Sequence, residues 1–113
     1  MESERIIGHY RGAEAGPLVV AFGGIHGNEP AGVLALELLF DMLDEEPRLN
    51  PGFSFKGELL ALRGNVAALK EGKRFIDVDM NRIWQFREPG DLNFATSEER
   101  ELHELLAAIE TAV

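Results

Sequence analysis

His26 and Glu29 stand three positions apart in the run Gly23-Gly24-Ile25-His26-Gly27-Asn28-Glu29-Pro30. An imidazole and a carboxylate so spaced at a turn can point into one volume and offer a nitrogen and an oxygen, donor types that suit a metal. Gly23, Gly24, Gly27 and Asn28 allow positive φ and a close approach of backbone to a ligand. The same residues also suit a tight strand-to-helix connection, with His26 packed locally and Glu29 at a positive helix terminus. By themselves they leave both readings open. The chain has no cysteine, which excludes a disulfide framework and a thiolate zinc site, so any metal must be held by histidine and carboxylate.

A second polar concentration is Lys73-Arg74-Phe75-Ile76-Asp77-Val78-Asp79-Met80-Asn81-Arg82-Ile83-Trp84. It mixes basic, acidic, amide and aromatic side chains with little helical or strand periodicity, as a surface loop or the wall of a site would. Asn81 and Arg82 offer an amide and a planar guanidinium, groups well shaped to hold a substrate carboxylate through paired hydrogen bonds. The competing reading is an ordinary ion pair between an arginine and a neighbouring aspartate.

These residues need elements to position them. Leu18 to Phe22 is an apolar run of the kind a buried strand uses, and a helix restarts at Pro30, a residue suited to a first helical turn. His26 and Glu29 then lie beyond the carboxyl end of a strand, where open α/β sheets keep their ligands. Val33, Leu34, Leu36, Leu38, Leu39, Phe40, Met42 and Leu43 cover much of that helix, which predicts close packing against a sheet and an end by Pro47. Arg5 to Tyr10 reads as a first strand, with His9 a surface or packing residue. Leu49 to Lys56 is loop or short edge strand. Glu58 to Leu62 is a further strand, and Asn65 caps a short helix, Val66 to Lys70, that stops at Gly72. Two strands joined through a helix imply a right-handed, largely parallel crossover. Arg87 to Phe94, with Pro89-Gly90, reads as exposed loop. Thr96-Ser97-Glu98-Glu99 is a capping-box signature before the stripe Leu102, Leu105, Leu106 and Ile109, giving a final amphipathic helix over 97–111 with His103 on its surface.

The 113 residues make one α/β domain. With 20 acidic against 11 basic residues, the net charge of −9 opposes binding to nucleic acid or an anionic membrane. The acidic groups Asp41, Asp44, Glu45, Glu46 and Glu98, Glu99, Glu101, Glu104 read as solvated faces. No apolar run reaches the ~18 residues of a membrane span, and Met1-Glu2-Ser3-Glu4-Arg5 lacks a signal peptide's basic start. A cytoplasmic location is expected.

Taken in order, Gly24-Ile25-His26-Gly27-Asn28-Glu29 and Arg74-Phe75-Ile76-Asp77-Val78-Asp79-Met80-Asn81-Arg82-Ile83-Trp84 resemble the succinylglutamate desuccinylase/aspartoacylase family, relatives of the zinc carboxypeptidases. The resemblance implies a three-layer α/β/α fold with a mostly parallel or mixed sheet. It implies that His26 and Glu29 are two ligands of Zn2+, and that Asp79 orients His26 from behind. Arg74 would polarise the substrate carbonyl and stabilise the oxyanion, and Asn81 and Arg82 would hold a substrate carboxylate. The implied reaction is hydrolysis of a small N-acyl amino acid.

The family's third zinc ligand, a later histidine, and its general base, a later glutamate, have no counterpart before Val113. His9 and His103 lie on the wrong elements to substitute. The expectation is therefore an amino-terminal portion, incomplete at its C-terminal side and inactive alone, or a short relative without catalysis. Either would self-associate through an exposed sheet edge or apolar surface. A carboxypeptidase-like peptidase or another amide deacylase is the alternative within the same class. A non-catalytic carboxylate-binding or assembly module using Arg74, Asn81 and Arg82 is the alternative outside it.

Overall fold

The computed structural model describes residues 2–84 and 95–113. Its elements in chain order are α1 (Glu2–Arg5), β1 (Ile6–Arg11), β2 (Glu14–Gly23), α2 (Ala31–Leu49), β3 (Lys56–Arg63), α3 (Val66–Glu71), α4 (Met80–Ile83) and α5 (Ser97–Ala112). The loop expected over Arg87 to Phe94 lies outside the described residues. The three strands form one mixed sheet in the order β1-β3-β2, with β3 antiparallel to β1 and parallel to β2.

The central strand β3 is covered on both faces, so Leu59, Leu60, Ala61 and Leu62 are all buried without alternation, whereas the longer apolar run Leu18 to Phe22, expected as a buried strand, lies on the edge strand β2, where Val19 is 53% exposed. Leu60 and Leu62 point into the main core with Met80 and Leu105. Leu18, Val20, Phe22 and Ile25 from the β2 side and Ala108 and Ile109 from α5 pack around them. Gly8 pairs with Ala61 on the opposite face, under the Phe40 ring of α2, where a β-carbon would come within 2.8 Å of that ring. Thus α5 packs on one face and α2 on the other.

Three helix ends in the second half of the chain follow local chemistry. Asn65 caps α3 by accepting from the Ala68 N–H at 3.2 Å, and Gly72 closes the helix in the left-handed region at φ 65°. Thr96 caps α5, its hydroxyl oxygen accepting from the Glu99 N–H at 3.2 Å.

Four expectations are corrected. Helix α2 does not end by Pro47 but runs to Leu49, because a proline near the end of a helix interrupts only one backbone bond before the chain leaves. Nor is α2 packed all round: Val33 and Leu43 are buried, whereas Leu34, Leu38, Met42 and Leu49 are each more than half exposed, since a three-stranded sheet reaches only one side of it. The acidic group on α5 is not a solvated face, for Glu98 and Glu101 are buried and paired. Arg5, which precedes β1 in α1 instead of starting the strand, is the buried partner of Glu101. It also donates to the Arg63 carbonyl at 2.7 Å, to the Gly64 carbonyl, and to Glu104 at 3.2 Å. No helix among the described residues is long and apolar enough to cross a membrane.

Exposure separates two leucines of the same type. Leu105→Ala is expected to cost about 2–5 kcal/mol because it opens a cavity beside Leu60 and Met80. Leu38→Ala, at a position 60% exposed, is expected to stay within about 0.5 kcal/mol of the parent. Urea unfolding of both variants checks the ranking, and equal losses would contradict the core assignment.

Candidate functional site

The carboxyl ends of β2 and β3 lie side by side and are laced together, Gly64 N–H to the Gly23 carbonyl at 2.8 Å and Asn65 N–H to the Gly24 carbonyl at 2.9 Å. Gly24 turns the chain out of β2 at φ 73°, a conformation that side-chain-bearing residues adopt rarely. Gly27 then passes against α3 so closely that a β-carbon would meet the Ala68 carbonyl carbon at 2.1 Å, and its N–H donates to the Arg74 carbonyl at 3.2 Å. Close approach of three backbone segments is what that glycine permits. It brings the 24–30 turn against the 73–80 segment.

At this junction His26 lies between two carboxylates. Its Nδ1 is 2.8 Å from Glu29 Oε2, and its Nε2 is 3.0 Å from Asp79 Oδ1. The ring is largely shielded at 13% side-chain exposure, while Glu29 is open at 63%. A neutral imidazole has one N–H and one lone pair, so it can donate to only one of two carboxylates. The second contact, at hydrogen-bond length, needs a further proton, on the ring or on the carboxyl group. With Asp79 on Nε2, Nδ1 and Glu29 are the groups that would hold a cation. A nitrogen and an oxygen, with a carboxylate behind the histidine, are donor types that zinc accepts. Among the described residues no group of three or more histidine, cysteine, aspartate or glutamate side chains is arranged to hold a metal.

Asp79 serves several partners at once. Besides the histidine it caps α4 by accepting from the Asn81 N–H at 3.0 Å, and its Oδ2 is 3.6 Å from the Arg74 guanidinium. The hydrogen bond to His26, then that to Asn81, holds its carboxyl below the usual range. Arg74 is half-exposed at the rim. Asn81 and Arg82 follow on α4 with exposed side chains, and Arg82 makes no ion pair among the described residues, unlike the pairing weighed for it. Phe22 and Trp84 meet edge to face at 5.1 Å beside them. His9 is elsewhere, on β1 and bonded to Glu58 at 2.9 Å, and His103 lies half-buried on α5.

The residue that sequence reasoning passed over is Glu98. Its side chain is wholly buried, and its Oε2 accepts from Asn65 Nδ2 and the Ile76 N–H, both at 2.8 Å. Its Oε1 accepts from the N–H groups of Asp77 at 2.9 Å and Val78 at 3.0 Å. Burial pushes this carboxyl up, but the N–H groups of Val78 and Ile76, the Asn65 amide and the Asp77 N–H together outweigh it and hold it below its ordinary value. A signal was available: Glu98 precedes Leu102, Leu105 and Ile109 by four, seven and eleven positions, and so sits on the buried stripe itself.

Residues 15–113 match the family model described as the succinylglutamate desuccinylase/aspartoacylase catalytic domain. A protein of Pseudomonas fluorescens named succinylglutamate desuccinylase is 36% identical over 87 residues, 75% of this chain and 24% of its own length. One of the same name from Serratia proteamaculans is 41% identical over 66 residues, 58% of this chain and 19% of its own. The matched part of the chain thus spans about a quarter or less of the length of these relatives. No solved structure matches.

The depressed Glu98 carboxyl fixes the sign of a pH effect. Its folded pKa lies below the reference 4.5, so its stabilisation is complete above that pH and is lost as pH falls through the folded value. Unfolding free energy is expected to drop below pH 4.5 in the parent and to drop less steeply in Glu98→Gln. Urea titrations at stepped pH check this, and parallel profiles would contradict it.

Proposed function

The chain belongs to the succinylglutamate desuccinylase/aspartoacylase family, and from that premise we propose that it carries metal- and substrate-binding residues of a zinc-dependent hydrolase acting on the amide bond of an N-acyl amino acid. The observation behind this reading is the His26 ring held between Glu29 and Asp79 with Arg74 at the rim. The fold proposed with it is the three-layer α/β/α arrangement of the zinc carboxypeptidases, supported by helices on both faces of a mixed sheet.

In this reading His26 and Glu29 hold the zinc, and Asp79 fixes the ring so that Nδ1 presents its lone pair. A zinc ion held there would lower the pKa of its water to about 7 and polarise the substrate carbonyl. Arg74 meets the negative charge that grows on the carbonyl oxygen as the carbon becomes tetrahedral, a role that its exposure at the rim leaves it able to reach. Asn81 and Arg82, exposed on consecutive positions of α4, clasp the carboxylate of the amino acid. Cleavage of the carbon–nitrogen bond then gives a carboxylate and an amine. A second reading, a carboxylate-binding module without catalysis, draws support from the count of two metal donors among the described residues, where catalytic zinc usually has three.

Calorimetric titration of the chain with zinc decides between the two. The parent is expected to bind one ion, His26→Ala none, and Glu29→Ala at least about tenfold more weakly. Absence of zinc uptake by the parent would overturn the metal reading. Separately, Arg82→Ala is expected to weaken binding of an N-acyl amino acid by about 2 kcal/mol, the scale of a charge-assisted hydrogen bond, and unchanged affinity would remove the clamp.

A further inference from the structure

We propose that Glu98 is the positioning residue of the site, setting the 76–79 backbone so that Asp79 meets His26; this rests on the reading of His26 as a metal ligand. The groups that bond to Glu98 are all donors, two to each oxygen, and three of them are the consecutive N–H groups of residues 76, 77 and 78. One fixed carboxylate thereby sets the direction in which the chain enters Asp79. The next side chain outward is the one on Nε2 of His26, at 3.0 Å.

The latch is reciprocal, since the Asp77 carboxylate accepts from the Ser97 N–H at 2.8 Å, so the first turn of α5 and the segment hold each other. It also reaches the other wall. Asn65, the side-chain donor to Glu98, caps α3, and the Ala68 carbonyl of that helix abuts Gly27, next to His26. Glu98 thus touches neither His26 nor the space before it, yet is tied to both segments that build the junction. Only an ionised carboxylate serves. A glutamine would turn an NH2 toward two donors whichever way it faced.

A merely structural role and a positioning role make different forecasts for a double-mutant cycle. Zinc affinity is measured by calorimetry for the parent, Glu98→Gln, Asp79→Asn and the double variant. Amide hydrogen exchange is followed at residues 76–78. Glu98→Gln is expected to release those three amides together and to lower zinc affinity about ten- to a hundredfold, as loss of a partner behind a ligand does. The double variant is expected to bind no more weakly than Asp79→Asn alone. Multiplying effects, or parent-like zinc affinity with the three amides released, would overturn the proposal.

If the parent itself takes up no zinc, the metal reading has failed, and Glu98 is judged on exchange of the His26 ring N–H facing Asp79. Faster exchange in Glu98→Gln supports the positioning role, and unchanged exchange overturns it. Should Glu98→Gln not fold, Asn65→Ser takes its place, because serine preserves a helix cap while withdrawing one donor from Glu98. A smaller loosening at Ile76, with the His26 ring N–H exchanging faster, is then expected. Loss confined to α3 would overturn the proposal.

Discussion

A carboxylate removed from water sets the arrangement at the carboxyl ends of the parallel strands. Burying the charge of Glu98 costs several kcal/mol, and only a full set of donors offsets that cost. Here the set is two N–H groups or amide hydrogens on each oxygen. Any other path for residues 76–78 would strand a buried charge, so the penalty that makes a buried carboxylate a poor source of stability makes it a strong source of specification. Apolar packing under Met80 and Leu105 holds the layers together, but it is non-directional and would tolerate the segment in several poses. The polar latch selects one.

A second buried charge set repeats the device one turn along α5. Glu101 accepts from the Val66 N–H at 2.9 Å, satisfying one of the orphan donors at the start of α3, and pairs with Arg5. Arg5 also donates to the carbonyls of Arg63 and Gly64, where β3 ends, and to Glu104. Glu98 and Glu101 therefore bind α5 to the end of β3, to α3 and to the segment before α4. Of these, α3 presses its Ala68 backbone on Gly27 and its Leu69 side chain on Gly24.

Much of this was legible in the sequence where a residue's role is local. The Asn65 cap, the Gly72 stop, the Thr96 capping box and the strand–turn–helix around His26 each depend on neighbours within a few positions, and the structure has them. The two motifs pointed to a family that the match over residues 15–113 supports. What was not legible depends on long-range partners. The apolar surface of α2 reads as buried all round, but how much sheet is there to cover it is not written in the helix, and Leu34, Leu38 and Met42 stay exposed. Glu98 and Glu101 read as solvated because a run of acidic residues along a helix usually forms a charged face in water. Their donors come from residues 5, 65, 66 and 76–78, which no local rule connects to α5.

The geometry of His26 is consequently a property of the whole fold. The ring and Asp79 are 53 residues apart in sequence, and the contact exists only while the 76–78 amides stay on Glu98. An opening that lifts α5 away would remove Glu98 from its donors and uncover Leu60 and Leu62 in the same step, because Leu105 lies on the same face of that helix. Loss of the site and loss of the core are then one event. Glu29, Arg74, Asn81 and Arg82 stand apart from that coupling, with exposed side chains at the rim that can adjust without disturbing what lies beneath. The division would suit the proposed metal and substrate site, with His26 tied to the buried framework and Glu29, Arg74, Asn81 and Arg82 left in solvent.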